Sequence, residues 1–323
     1  MKDKILVTGG AGYIGSKVSH DLLKNGHKVF IVDNLITGHK NLIPKKAKFF
    51  FCNILNKKKI INIIKKNDIK TVMHFAASLS VEESEKKPKK YYKNNVLGTK
   101  KILEACSQCN IKYFVFSSTC SVYGDVKKKV NENQRLKPIS IYAKTKLKSE
   151  LLIKKFSIKH NFYYSILRYF NVAGADLKSN IGCINNNGQL FKNLCLSIKN
   201  RNYEIKIFGK NYNTKDGTCI RDYIHLNDIS KIHYLALKSL KKNKKSFIIN
   251  CGYGKGYSVS EIIDNFEQYI KKKFKRIYEK RRAGDIATVI SDVEKMKKIL
   301  NFKPSKKPLK KIISSALSWE LKS

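Results

Sequence analysis

A doubly wound parallel α/β sheet with a smaller C-terminal α/β lobe is the fold class predicted by three features of this chain. Short apolar strands alternate with helical patterns from the start to about residue 167, a glycine-rich turn separates the first strand from the first helix, and the rhythm loosens after Asn171. Runs of Val, Ile, Phe and Tyr place strands at 5–7, 28–32, 48–51, 71–75, 113–116 and 163–167, and 3.6-residue periodicity places helices at 15–25, 56–66, 91–109 and 142–160. Strands that alternate with helices close as right-handed βαβ units, so the sheet is parallel and covered on both faces. The expected division is 1–171 for the first domain and 172–323 for a second lobe partly interleaved with it. Ligands of such folds bind beyond the carboxyl ends of the strands, where the irregular segment 176–188 can close over them.

Composition excludes several function classes. With 67 Lys plus Arg against 24 Asp plus Glu, the formal charge is +43, a balance that ordinarily points to nucleic acid or an anionic membrane. Only seven of those cations are arginine, and the lysines are scattered in short runs such as 57–59, 127–129 and 271–273. That distribution decorates solvated faces, so neither a specific nucleic-acid partner nor a membrane partner is expected, only a field that steers anionic substrates. Eight cysteines without regular spacing read as reduced thiols of a cytoplasmic protein, and Cys106 and Cys109 lack the second pair or histidines that a zinc site needs. The first strand begins at Ile5, too early for a signal peptide, and no apolar run is long enough to span a membrane.

The chemistry begins at Thr8-Gly9-Gly10-Ala11-Gly12-Tyr13-Ile14-Gly15. Glycines at a strand-to-helix turn let a pyrophosphate approach bare N–H groups at the positive end of a helix, the Rossmann-like arrangement. Asp33 follows the second strand, where a carboxylate accepts ribose hydroxyls and repels a 2′-phosphate, favouring NAD over NADP. Phe75-Ala76-Ala77 supplies small residues beside which a cofactor can pass.

Tyr142 and Lys146 stand four residues apart in the helix 142–160, which puts phenol and ammonium on one face. For a tyrosine to work as a base near neutrality its pKa must fall by roughly 3 units from about 10, or about 4 kcal/mol. Lys146 together with a positive nicotinamide is expected to supply that fall. Thr119, after the strand 113–116, brings a hydroxyl to the same mouth. Arg221 and Arg282, where arginine is scarce, suit the bidentate geometry of a diphosphate.

On these motifs, together with Asp33-Asn34-Leu35, His74-Phe75-Ala76-Ala77, the stretches 91–99 and 117–124, Arg168-Tyr169-Phe170-Asn171, 216–225 and 281–285, the chain resembles the extended short-chain dehydrogenase/reductases along nearly its whole length, and within them the UDP-glucose 4-epimerase family. The resemblance implies tightly held NAD, a UDP-sugar substrate, a homodimer and no metal. It implies catalysis by Tyr142, Lys146 and Thr119. Cofactor contacts would come from Gly9, Gly12, Tyr13, Ile14, Gly15, Asp33, Asn34, Asn53, Ile54, Phe75, Ala76, Ala77, Asn94, Ser117, Tyr142, Lys146 and Tyr169, and substrate contacts from Thr119, Tyr142, Asn171, Gln189, Arg221 and Arg282. The implied reaction oxidises the sugar at C4, turns the 4-keto sugar over and returns the hydride to its other face.

Four positions depart from the family pattern: Leu79 in place of a lysine near the cofactor phosphates, Asn53 in place of an aspartate, Gln189-Leu190-Phe191-Lys192 without its proline, and Val289 in place of a bulky tyrosine. The last is expected to widen the sugar pocket toward N-acetylhexosamines. A 4,6-dehydratase on the same fold needs an acid after the threonine, where this chain has Cys120-Ser121, and a non-catalytic NAD-binding protein has no use for Thr119, Tyr142 and Lys146 together.

Overall fold

Alternate residues of each central strand go to opposite faces of the large sheet, and both faces are closed. Ile5, Val7, Val29, Ile31, Met73, Val115, Leu167 and Ile249 face one apolar cluster, while Leu6, Phe30, Val32, Val72, Phe114, Phe116 and Ile166 face another. Each such side chain contributes about 1.5–3 kcal/mol when fully buried, which is why the strands read as unbroken apolar runs. The computed structural model describes residues 2–126, 129–178, 180–186, 188–282, 285–304 and 307–322. Lys127 and Lys128, Asn187, and Ala283 and Gly284 of the arginine motif lie outside them.

The order is β1 (Lys4–Thr8), α1 (Tyr13–Lys24), β2 (Lys28–Asp33), β3 (Lys48–Phe51), α2 (Lys57–Lys66), β4 (Thr71–His74), α3 (Val81–Lys86), α4 (Pro88–Tyr91), α5 (Gly98–Gln108), β5 (Tyr113–Thr119), α6 (Ile141–His160) and β6 (Tyr163–Tyr169). Then come β7 (Asn171–Ala173), α7 (Leu190–Lys199), β8 (Glu204–Phe208), β9 (Ile220–His225), α8 (Leu226–Asn243), β10 (Phe247–Cys251), β11 (Gly256–Ser258), α9 (Val259–Ile270), β12 (Lys275–Glu279), β13 (Thr288–Val289), α10 (Glu294–Leu300) and α11 (Pro308–Lys322). Seven strands form the parallel sheet in the order β10-β6-β5-β4-β1-β2-β3. The chain beyond residue 171 therefore re-enters it: β10 pairs with β6, and Ile229, Ile232 and Leu237 of α8 share a cluster with Val18 and Leu22 of α1. The smaller lobe keeps β9 with β7, β11 and β13 beside it, the pair β8-β12, and α7, α9 and α11 around a core that includes Phe191, Phe266 and Ile312.

One predicted helix is interrupted. In place of a continuous 91–109, α4 runs into a π-helical turn, Tyr92–Leu97, before α5 begins. The wide turn frees the Asn95 carbonyl, which accepts the hydroxyls of Thr99 at 2.6 Å and Ser149 at 3.0 Å. Such turns recur at functional sites.

Candidate active site

At the glycine turn each glycine has a steric reason. Gly9 has φ +71°, and a Cβ there would stand 2.6 Å from the Ala76 nitrogen; one on Gly15 would stand 2.3 Å from the Gly9 carbonyl oxygen. Gly12 begins α1 without a side-chain cap, so the first turn presents its amides to an anion. Asp33 closes β2, with Oδ2 accepting the Ala11 N–H at 3.0 Å and Oδ1 the Leu35 N–H at 2.9 Å. Each oxygen keeps a second lone pair for a ribose hydroxyl. A Cβ on Gly38 would lie 2.8 Å from Oδ1 and cover that carboxylate. Gly9, Gly12, Gly15 and Gly38 together make a cradle that fits a dinucleotide.

Other predicted cofactor residues line the carboxyl ends of β1 to β5. Asn34 and Asn53 turn their side-chain oxygens onto the amides of Ile36 and Leu55, Ile54 packs under Gly98, Phe75 stacks on His233 at 4.9 Å ahead of Ala76 and Ala77, and Asn94 donates to Ser78 Oγ at 3.1 Å.

Tyr142 sits in the first turn of α6, which Ser140 caps by accepting the Ala143 N–H at 3.2 Å. That turn is tied to the π turn: Asn95 Nδ2 donates to Thr145 Oγ1 at 3.1 Å, and Thr145 donates to the Tyr142 carbonyl at 2.7 Å. Behind it lies buried His74, 3.0 Å from Thr99 through Nε2 and 2.6 Å from Thr8 through Nδ1. Thr99 spends its proton on Asn95, so Nε2 carries the hydrogen and Nδ1 accepts from Thr8. Burial, and the Lys146 charge nearby, hold its pKa down to about 3, so the ring is neutral.

Within the chain alone, the electrostatics does not favour a phenolate. Burial pushes the Tyr142 phenol up to about 12, and its hydrogen bond with Thr119 draws it only part of the way back. Lys146 is not among the groups that lower it; its amine donates to the Ser117 carbonyl and lies 4.4 Å over the Phe116 ring. Burial lowers Lys146 itself to about 7, with Glu150 one turn along α6 opposing that fall. Helical spacing put both groups on one face, but the lysine stem leans onto β5.

A cavity of about 450 Å³ brings together Tyr13, Ile14, Thr119, Tyr142, Tyr169, Asn171, Gln189, Arg221 and Arg282. Gly9, Gly12, Gly15, Asp33, Asn34, Asn53, Ile54, Phe75, Ala76, Ala77, Asn94, Ser117 and Lys146 do not line it; Ser117 and Lys146 lie behind its Thr119 wall. Arg282 stacks on Phe208 at 3.8 Å, and Arg221, 3.6 Å from Asp285, also donates to the Ile220 carbonyl at 2.9 Å.

Phe208 was missed in the sequence, where nothing distinguished it from a core residue, and Tyr223 and Asp285, inside the stretches 216–225 and 281–285, were given no role of their own. Lys192, noted only for the missing proline, forms a buried 2.6 Å ion pair with Glu320 at the back of the cavity. Leu79 stands at the rim, and Val289 is buried among Val122, Tyr123, Val130 and Phe170. Among the described residues no cluster of metal-ligating side chains occurs, and no helix is long and apolar enough to cross a membrane.

Known proteins carry the same architecture. The UDP-glucose 4-epimerase of Lactobacillus helveticus is 38% identical over 318 residues, 98% of this chain and 96% of its own length. The crystal structure of UDP-glucose 4-epimerase from Brucella ovis in complex with NAD superposes with a TM-score of 0.93 at 33% identity, covering 99% of this chain and 98% of that one. The UDP-Glc/GlcNAc 4-epimerase of Campylobacter jejuni is 38% identical with a TM-score of 0.85, covering 99% of this chain and 100% of its own. The model of the NAD dependent epimerase/dehydratase family matches residues 5–252, and with the glycine cradle, the Tyr142–Thr119 pair and these full-length likenesses the chain belongs to that family.

Proposed function

We propose that this chain interconverts UDP-glucose and UDP-galactose by inverting C4, with NAD as its cofactor. The observation that carries the reading is the convergence of Tyr142 and Thr119 on one cavity that also carries Arg221 and Arg282. Residues 1–171, joined by α8 and β10, would hold NAD; the remainder of 172–323 would hold the UDP-sugar. Gly9, Gly12, Tyr13, Ile14 and Gly15 seat the pyrophosphate, Asp33 and Asn34 the ribose, and Asn53 and Ile54 the adenine. Phe75, Ala76, Ala77, Asn94, Ser117, Lys146 and Tyr169 border the nicotinamide half. When bound, NAD supplies an acceptor for the C4 hydride and gives it back within the same turnover.

Tyr142 takes the proton of the C4 hydroxyl, and Thr119 holds that hydroxyl and the phenol in line. Lys146, as an ammonium, adds positive charge behind the Thr119 wall. Arg221 and Arg282 clamp the diphosphate while Asn171 and Gln189 hold the rest of the nucleotide, so the 4-keto sugar can turn over without leaving. Elimination is disfavoured because the residues after Thr119 are Cys120 and Ser121, and burial pushes the Cys120 thiol up to about 12. Val289 is buried under Phe170 and does not line the cavity, so it does not widen the sugar pocket toward N-acetylhexosamines as expected.

The eight free cysteines suit a cytoplasmic setting. Leu97 of the π turn and Leu151 and Ile158 of α6 are exposed, apolar and unpartnered in one chain, which supports a homodimer. The test of function is a coupled assay of purified protein with UDP-galactose and with UDP-N-acetylgalactosamine. Turnover of UDP-galactose should fall by about 10²–10⁴ in Tyr142→Phe; retention of near-full activity removes the assigned base.

A further inference from the structure

The described residues between Gly174 and Asn185 are fastened to the dinucleotide half of the molecule at both ends. At its start the Tyr13 hydroxyl donates to the Gly174 carbonyl at 2.5 Å, and Lys17 Nζ lies 2.9 Å from Asp176 Oδ2, with both side chains at least nine-tenths buried. Tyr13 and Lys17 belong to α1, whose first turn is the pyrophosphate seat. At the far end Asn185 Nδ2 donates to the Thr37 carbonyl at 2.7 Å, and Asn185 Oδ1 lies 3.0 Å from His39 Nε2. With the amide nitrogen spent on Thr37, Oδ1 is the acceptor and His39 Nε2–H the donor. Between these anchors Leu42, Ala175 and Trp319 form a small apolar cluster with Ile184 against it.

Position gives the contacts their meaning. Thr37 and His39 flank Gly38, the residue that touches the Asp33 carboxylate, and the His39 N–H donates to the Ala11 carbonyl at 2.9 Å. One end of the stretch is therefore anchored at the pyrophosphate turn and the other beside the ribose carboxylate. We infer that the described residues between Gly174 and Asn185 form a strap fastened across the dinucleotide groove, and that the Asn185 fork is the fastening which sets how slowly NAD leaves. The inference rests on the NAD reading above.

A redox-neutral cycle needs such a device, since a cofactor lost between the two hydride transfers leaves the 4-keto sugar stranded. The strap opens most readily from the Asn185 end. Its two hydrogen bonds are partly solvent-exposed, whereas the Lys17–Asp176 pair is buried and the Leu42 cluster must be wetted to part.

The experiment measures the NAD carried by purified holoenzyme, and then its dissociation half-time into an excess of a scavenging dehydrogenase. For Asn185→Ala, loss of two hydrogen bonds should speed release about tenfold or more, while the unfolding midpoint of the stripped protein stays that of the unsubstituted chain. His39→Ala should also speed release, and His39→Gln, whose amide still donates to Asn185, should restore it. Release from Asn185→Ala at the unsubstituted rate overturns the strap. An unsubstituted protein that neither carries nor binds NAD overturns the cofactor reading first, so the two failures are distinguishable.

Discussion

Glu150 is fully buried beneath the active site, and replacing it by glutamine tests how that floor is held. Its Oε2 accepts Arg168 Nη2 at 2.7 Å and its Oε1 accepts Arg168 Nε at 3.1 Å and Ser118 Oγ at 2.5 Å. Arg168 is 1% exposed, and its third contact is Tyr123 Oη at 3.0 Å. Glu150→Gln leaves that guanidinium buried without a counter-charge, which costs about 3–5 kcal/mol and lowers the unfolding midpoint by about 5–15 °C. Adding Arg168→Met should recover most of the loss, because two apolar or neutral groups of similar shape do without the pair. The variant carries a second readout. Glu150 opposes the burial that lowers Lys146, so without it Lys146 titrates below its value of about 7. If the ammonium form is needed, activity at neutral pH falls and the optimum moves to lower pH. Thermal unfolding and a pH–rate profile measure the two effects; a Glu150→Gln protein within 1 kcal/mol of the unsubstituted chain with an unmoved profile would refute the reasoning.

Burial lowers His74 to about 3 and His225 and His233 to about 4, below the unfolded value, so the unfolded chain binds these protons first. Stability is therefore full above about pH 6.5 and is lost as pH falls toward 4, and a urea midpoint unchanged between pH 7.5 and 5 would contradict this. Arg282→Ala should raise KM for the UDP-sugar about tenfold to a hundredfold with little change in kcat, whereas a fall in kcat alone would remove the clamp role. With a formal charge of +43, added salt should raise KM as well, and a salt-independent KM removes the steering argument. Leu151→Lys with Ile158→Lys should give a single-chain mass by light scattering where the unsubstituted protein gives two; a single-chain mass for the unsubstituted protein ends the dimer reading.

Much of this was legible because it is local. The unbroken apolar runs of β1, β2 and β5, the glycine turn and the Tyr142–Lys146 spacing are short-range patterns, and the structure shows why each is needed: two covered sheet faces, turn positions where a Cβ would stand 2.3–2.6 Å from backbone atoms, one helix face. What escaped depends on residues far apart. Nothing in the period of 91–109 announces the π turn, whose freed Asn95 carbonyl takes the hydroxyls of Thr99 and Ser149. The return of β10 to the first sheet is a long-range pairing with β6, invisible to periodicity. Lys192 looked like a lost proline until α11 brought Glu320 to it.

The direction of the tyrosine pKa escaped for a deeper reason. Spacing reports which side chains share a face, but a pKa follows the surroundings of the whole group, and here burial outweighs every favourable contact within the chain. Tyr142 at about 12 and Lys146 at about 7 stand close to the reverse of what a phenolate held by an ammonium requires. Bringing the phenol to neutrality then needs about 7 kcal/mol of added preference for its charged form in all, about 3 kcal/mol more than the 4 kcal/mol that an exposed tyrosine would need. The Thr119 contribution, already counted in that value, does not supply it, and Lys146 is not among the groups that lower it. Base strength in this site is therefore conditional on positive charge that a ligand brings. A chain that binds NAD before sugar would become competent to take the C4 proton only when the hydride acceptor is in place.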